Sequence, residues 1–200
     1  TQVRSLVEAF QGTGMWSIFL VSAVRGMGDR AYVFFLPFYL RQELGMGFFM
    51  VSVHVALVAA PGIIGGPFFG VLSDRVGRRS VIAFLMLVAV VLSLTTVLSG
   101  GGIGMTVSVA LFGLFHSSVN SLTQAAAIDE AEGKGLDATF MGLMWGSNAA
   151  FSAAAGAGVG ALINFYGWEI AFYFAAAMFL FGLIVPLGMP RKRTSQPQTT

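Results

Sequence analysis

Apolar residues dominate the chain in long runs, and charged residues are concentrated in the short segments between them. No Asp, Glu, Lys or Arg occurs within residues 80–128, 138–168 or 170–190. Uncharged apolar runs of about 18 residues or more are typical of membrane-spanning helices. We therefore predict an all-α polytopic membrane protein with a six-transmembrane-helix bundle, whose spans cover residues 13–40, 48–72, 80–98, 103–127, 138–165 and 168–187.

The segments outside these spans have a different pattern. Residues 1–12 place apolar side chains at helical spacing between charged ones, which predicts an amphipathic helix lying at the membrane interface, like a linker between two halves of a longer protein. Residues 190–200 form a polar, basic tail, and the acidic segment 129–137 is predicted as a loop. The bundle itself is assigned to residues 13–189.

Composition supports a membrane protein over a water-soluble one. Hydrophobic residues make up 56% of the 200 residues and charged residues only 10%, whereas a soluble domain has about 25% charged residues. The absence of cysteine excludes disulfides and thiol catalysis. The net charge of +2 is small, and we infer no nucleic-acid partner from it.

The basic residues indicate the orientation of the bundle. Cytoplasmic loops of membrane proteins carry an excess of Lys and Arg. With six spans, one side of the membrane has only Arg41, and both termini lie on the opposite side. We therefore predict that both termini are cytoplasmic, on the side that carries Arg4, Arg75, Arg78, Arg79, Lys134, Arg191, Lys192 and Arg193.

A charged turn joins the second and third predicted spans. It follows Gly62, Gly66 and Gly70, which stand at i, i+4 spacing and predict a smooth helix face for close packing. Considered by itself, the turn is compatible with a simple charged hairpin that obeys the positive-inside rule. The turn and the residue before it show the pattern G-x-x-x-D-R-x-G-R-R, made by Gly70, Asp74, Arg75, Gly77, Arg78 and Arg79.

This pattern, in this position, resembles the signature loop of the major facilitator superfamily of secondary transporters. The resemblance implies that these six residues form a conformational latch between the cytoplasmic ends of two six-helix halves. It also implies a twelve-helix fold, of which this chain is one half and the other six-helix half is the partner. Residues 110–117 of the fourth span lack the arginine of first halves, and residues 156–160 of the fifth lack a Gly-Pro pair, so we expect the second, C-terminal half.

Three charged residues interrupt the first predicted span. Charges at bilayer depth are costly unless they are paired or hydrated, so Arg25, Asp29 and Arg30 are candidates for substrate binding or proton coupling. Arg25 and Asp29 share one helix face, and we expect Gly26 and Gly28 to allow a local break between them. Arg30 lies about 100° round the helix from Asp29 and is expected to point elsewhere. A purely structural salt bridge between Arg25 and Asp29 is the alternative.

Two further polar stripes lie within predicted spans. His116, Asn120 and Gln124 recur at i, i+4 and i+8 on the fourth span, and Asn148 begins a smaller stripe with Ser152 on the fifth. Such stripes face the interior of a bundle rather than lipid, where they bind a solute or hydrogen-bond to neighbouring helices. We take His116, Asn120, Gln124 and Asn148 as further solute-binding candidates.

The function that fits these features is secondary active transport of a small organic solute by alternating access. Protons are one candidate coupling ion, and the sequence leaves proton-coupled import, antiport and drug efflux open. An alternative is a self-contained six-helix membrane protein, acting as a homodimer or as a non-transporting binding or sensory subunit. An enzyme is not expected, because the two histidines lie on separate spans, and no metal or cofactor site is predicted. The expected location is the plasma membrane or bacterial inner membrane, with the lipid bilayer as surroundings.

Overall fold

The computed structural model describes residues 15–131 and 137–184. The predicted linker helix at residues 1–12, Lys134 and the basic tail at 190–200 lie outside these described residues. Within them, the chain forms α1 (Met15–Asp29), a π-helical turn π1 (Arg30–Phe34), α2 (Phe35–Phe38), a second π-helical turn π2 (Tyr39–Glu43), α3 (Phe48–Ala59), α4 (Gly62–Val76), α5 (Arg78–Leu98), α6 (Ile103–Ala131), α7 (Asp137–Tyr166) and α8 (Ile170–Gly182).

These elements form six helical rods that correspond to the six predicted spans. The first four elements follow one another without a break over residues 15–43, and α3 and α4 are joined by a turn at Ala60 and Pro61. Of the rods, those at 48–76, 78–98, 103–131 and 138–166 are long and apolar enough to cross a membrane, and α8 is a shorter apolar helix. The prediction of an all-α helical bundle is confirmed.

The acidic segment after the fourth span differs from its prediction. Asp129 and Glu130 were expected in a loop, yet α6 continues as far as Ala131. The loop prediction is therefore wrong at its first residues. Asp129 forms an ion pair with Arg78 at the start of α5, and this contact fixes the last turn of α6 against the neighbouring helix.

The first rod departs from regular α-helix in its second half. Pro37 has no amide hydrogen, and its ring crowds the carbonyl of Val33, which lies in the first π-helical turn. A widened turn relieves this crowding without ending the helix. The expected break at Gly26 and Gly28 does not occur, because α1 is regular through both positions.

The core of the bundle forms around an aromatic cluster. Tyr32 stacks on Phe112 with ring centroids 3.6 Å apart and meets Phe172 edge-on at 5.1 Å. Its hydroxyl forms a hydrogen bond of 2.7 Å with the Thr96 hydroxyl. Because these partners come from α5, α6 and α8, Tyr32 holds the irregular part of the first rod in one place.

Glycines allow the second and fourth rods to pack closely. A Cβ atom on Gly62 or Gly65 would collide with α6, and one on Gly113 would collide with the backbone of α3. A Cβ atom on Gly70 would meet nothing within 4 Å among the described residues, so no helix of the described bundle packs on this end of the predicted glycine face. Crossing helices touch over only a few turns, and here those turns lie near Gly62 rather than Gly70.

Burial is uneven among the rods. In the apolar stretches of α5 and α6 a large share of residues is buried, whereas most residues of the second rod and of α7 are exposed. The exposed part of α7 is rich in glycine and alanine, which suits close approach of another helix. The second rod and α7 thus each have a face that no element of the described bundle covers.

Candidate functional site

An open cleft of about 540 Å³ lies between the first rod, α6 and α7. Its polar lining comes from all three elements, and its apolar lining comes mainly from the π-helical region of the first rod. Its lining residues are Arg25, Gly26, Asp29, Arg30, Val33, Phe34, Pro37, Phe38, His116, Asn120, Trp145, Asn148 and Ser152.

Asp29 is the centre of the polar side of the cleft. Its Oδ2 atom accepts a hydrogen bond from Arg25 Nη1 at 2.5 Å, and its Oδ1 atom accepts one from His116 Nδ1 at 2.8 Å. Arg25 is almost completely buried, and its Nε atom has no hydrogen-bond partner in the described part of the chain. The carboxylate therefore links a cation on its own helix to an imidazole on α6.

Glycines let the first rod approach its neighbours at this point. A Cβ atom on Gly26 would lie 2.5 Å from Asn148 Nδ2, and one on Gly28 would lie 2.7 Å from Phe179 Cε1. Asn148 donates a hydrogen bond of 3.0 Å from Nδ2 to the Ser22 carbonyl. These glycines serve close helix packing beside Arg25 and Asp29, and they do not form a backbone break.

Arg30 has surroundings unlike those of Arg25. It was expected to point elsewhere, but it lines the same cleft as Asp29, with which it forms no ion pair in the described part of the chain. Its guanidinium carbon lies 5.4 Å from the centroid of the Phe34 ring, and it has no ion pair with an acidic residue in the described ranges. The methylene groups of Arg30 pass close to Gly156, where a Cβ atom would lie 3.4 Å from Arg30 Cγ.

The structure brings most of the predicted solute-binding candidates together. Arg25, Asp29, Arg30, His116, Asn120 and Asn148 all line the cleft. Gln124 is not among the lining residues, and its Nε2 donates a hydrogen bond of 3.3 Å to Asn120 Oδ1. Gln124 therefore orients Asn120 from the next helical turn.

Sequence reasoning missed the aromatic lining, above all Trp145. This residue lies one turn before Asn148 on α7, and Ser152 lies one turn after it, so the three share a helix face. This helical spacing could have identified Trp145 as a cleft residue from the sequence. Phe34 and Phe38 were missed because their position depends on the π-helical turns, which change the register of the first rod.

The signature turn lies apart from the cleft. Gly77, at φ +101°, separates α4 from α5 in a conformation that favours glycine. Arg78 donates hydrogen bonds to Asp129 from Nε at 2.6 Å and from Nη2 at 3.4 Å, and its Nη2 lies 3.6 Å from Asp74 Oδ1. Asp129 was not predicted as a partner, although its place in the charged segment on the same side of the bundle was a usable signal.

The remaining predicted latch residues make fewer polar contacts than Arg78. Arg75 and Arg79 form no ion pair within the described ranges, and Gly70 accepts a hydrogen bond of 2.7 Å at its carbonyl from Ser73 Oγ. His54, the other histidine of the chain, is buried, with Nδ1 2.8 Å from the Met50 carbonyl and Nε2 3.0 Å from Thr106 Oγ1.

No group of three or more His, Asp or Glu side chains suited to a metal ion occurs in the part of the chain that the structure describes. The cleft instead combines two arginines, one carboxylate, one imidazole and two amides with three exposed aromatic rings. That set is suited to binding a polar organic molecule and to moving a proton, and it lacks an evident nucleophile with an adjacent base.

Comparison with known proteins gives matches of three kinds. A profile of the Major Facilitator Superfamily matches residues 18–200. An Arabidopsis thaliana protein named as a glycerol-3-phosphate transporter is 31% identical over 157 aligned residues, covering 71% of this chain and 28% of that protein. A crystal structure of a mutant of the peptide transporter POT in complex with sulfate superposes with a TM-score of 0.73 at 22% identity, covering 87% of this chain and 37% of the other. The chain thus spans about a third of the length of these relatives.

Proposed function

Because the chain belongs to the Major Facilitator Superfamily, we propose that it is the second half of a secondary transporter that moves a small organic solute by alternating access. The family membership agrees with the resemblance of the signature turn. The observation that carries the proposal is the cleft, where charged and amide side chains from three rods converge. Polar groups of this kind at bilayer depth are typical of solute pathways.

The unpartnered faces support a missing partner half. The second rod and α7 are the least buried long helices of the described bundle, and the small residues of α7 permit close packing. A second six-helix bundle on these faces would close the open side of the cleft. In this arrangement residues 1–12 lead in from the first half, and both termini of this segment are cytoplasmic in a plasma or inner membrane.

Asp29 is the proposed proton carrier. Among the described residues it is the one carboxylate that lines the cleft, and it is shared between Arg25 and His116. Protonation of Asp29 would weaken its bond with His116 on α6 and leave a net positive charge for an anionic solute to balance. Proton binding and solute binding would then favour each other, because each supplies the charge that the other lacks.

The charge of the cleft supports an anionic solute. Arg25 and Arg30 outnumber Asp29, and Arg30 is free of an acidic partner among the described residues. The Arabidopsis relative is named for an organic phosphate. An organic anion is therefore the solute class that we propose for this site.

The test is uptake by the complete protein in sealed vesicles. Glycerol 3-phosphate and other small organic anions would be added outside, and solute entry and internal pH would be recorded together. Asp29→Asn should abolish coupled uptake while expression is retained, and Glu43→Gln, which lies outside the cleft, should not. Coupled uptake at the wild-type rate by Asp29→Asn would refute the coupling role.

We further propose that Gly70, Asp74, Arg75, Gly77, Arg78 and Arg79 govern the switch between inward-open and outward-open states. The contacts of Arg78 with Asp74 and Asp129 support this role, since they tie α4, α5 and α6 together at one end of the bundle. Asp74→Asn should slow solute exchange without changing which solutes are carried. A changed solute profile at normal turnover would contradict it.

A further inference from the structure

Two aromatic side chains, Trp145 and Phe34, line the cleft together with its polar groups and form its aromatic wall. Trp145 is 44% exposed and Phe34 is 46% exposed, although both lie at cleft positions. They come from different rods, α7 and the π-helical turn of the first rod. Exposed rings at such positions are apolar surface that a bound molecule can cover.

These rings do not simply face lipid. They line the same cleft as Arg30, Asp29 and His116, and charged groups in membrane-spanning segments face water-filled cavities or the interior of a bundle. An aromatic ring in a polar cavity loses contact with water when it is covered, which favours binding of an apolar partner.

The two rings of the wall differ in their contacts with other side chains. Phe34 lies 5.7 Å from Phe38, and Phe38 stacks on Trp168 at 5.8 Å with an angle of 8° between the rings. Trp145 makes no ring contact and no hydrogen bond with any described residue. Phe34 therefore has ring neighbours within the first rod, whereas the ring of Trp145 is left for a flat group in the cleft to cover.

Arg30 places a cation beside this wall. Its guanidinium group lies against the ring of Phe34, which is one helical turn later in the first rod, and it has no acidic partner within the described ranges. Arginine binds carboxylate and phosphate groups through two parallel hydrogen bonds. The cleft thus presents an anion-binding group next to an aromatic surface.

We propose that the solute is an organic anion with a flat, aromatic body, held by Arg30 at its anionic end and by Trp145 and Phe34 at its ring. This inference rests on the proposed function, because it takes the cleft to be the solute site. It narrows the solute class from small organic anions in general to those with a planar apolar part.

The experiment compares two probes that share one anionic group. Phenyl phosphate and methyl phosphate are both phosphate monoesters, and only the first has a ring. Binding to the purified complete protein would be measured by calorimetry. We expect phenyl phosphate to bind at least about tenfold more tightly, since ring contacts and burial together contribute on the order of one power of ten.

Matched variants test whether the aromatic wall causes the preference for phenyl phosphate over methyl phosphate. Trp145→Leu should weaken phenyl phosphate binding about tenfold and leave methyl phosphate binding unchanged. Trp16→Leu is the control, because Trp16 is 55% exposed and does not line the cleft. Arg30→Gln should weaken both probes, and neutral benzyl alcohol should bind less well than phenyl phosphate to the unmodified protein.

Three results would overturn the proposal. These are equal affinity for the two phosphate esters, unchanged phenyl phosphate binding in Trp145→Leu, and equal binding of benzyl alcohol and phenyl phosphate. Each would mean that the rings are covered by the other half or that Arg30 does not select an anion. Failure of the proposed function gives a different result: phenyl phosphate would bind as expected, yet no solute would cross the vesicle membrane.

Discussion

The cleft and the signature turn each contain an Arg-Asp ion pair, but the two pairs have opposite surroundings. In the cleft, the Asp29 side chain is only 14% exposed and its partner Arg25 is almost fully buried. At the turn, Asp74 is 63% exposed and Asp129 is 34% exposed. Burial strengthens the interaction of opposite charges and raises the cost of leaving either one unpaired.

This difference suits the two proposed roles. A buried pair changes only when another charge, such as a proton or an anionic solute, replaces one partner, so it can couple two binding events. An exposed pair has a small net free energy, because water competes for both partners. Such a pair can form and break with little cost as a transporter changes state.

The largest expected effect follows from removal of the buried cation. Arg25→Gln leaves Asp29 with His116 as its remaining described partner, and loss of one member of a buried pair costs about 3–5 kcal/mol. Arg78→Gln should cost less, about 1 kcal/mol, because Arg78 and Asp129 are only partly buried and water reaches both. The measurement is the free energy of unfolding of each variant in the same detergent. Equal losses in the two variants would remove the distinction between the regions.

A smaller effect is expected from two glycine substitutions. Gly26→Ala places a methyl group against Asn148 and Ser152, and overpacking of this kind costs about 1–3 kcal/mol. Gly70→Ala is the matched control near the turn, because a Cβ atom there meets nothing within 4 Å. Thermal unfolding of both variants tests this, and a loss in Gly70→Ala as large as in Gly26→Ala would contradict the packing described for α1 and α7.

A double-mutant cycle measures the Arg78–Asp129 pair directly. Its two side chains are only partly buried, so Arg78→Gln, Asp129→Asn and the double variant should give a coupling energy of about 1 kcal/mol, well below that of a buried pair. The same cycle on Arg25 and Asp29 should give a larger value. A coupling energy above about 3 kcal/mol at the turn would show that Arg78 and Asp129 behave as a buried pair.

Much of the fold could be predicted because apolar runs and charge placement both follow from the bilayer. The i, i+4 pattern placed Arg25 with Asp29 and His116 with Asn120, since a regular helix fixes which residues share a face. The π-helical turns could not be predicted, because they depend on how Pro37 and Tyr32 pack in three dimensions. The pairings of Asp29 with His116 and of Arg78 with Asp129 were missed for the same reason, since each joins separate helices.

The smallest expected effect is the dependence of the two couplings on salt. Raising the ionic strength from about 0.1 M to about 1 M shortens the Debye length from about 10 Å to about 3 Å, which weakens exposed pairs far more than buried ones. The coupling energy of Arg78 with Asp129 should therefore fall by a few tenths of a kcal/mol, and that of Arg25 with Asp29 should stay constant. Repeating both cycles at the two salt concentrations gives the measurement. A salt-sensitive Arg25–Asp29 coupling would mean that water and ions reach Asp29 as freely as they reach the turn, and the distinction between the two pairs would then fail.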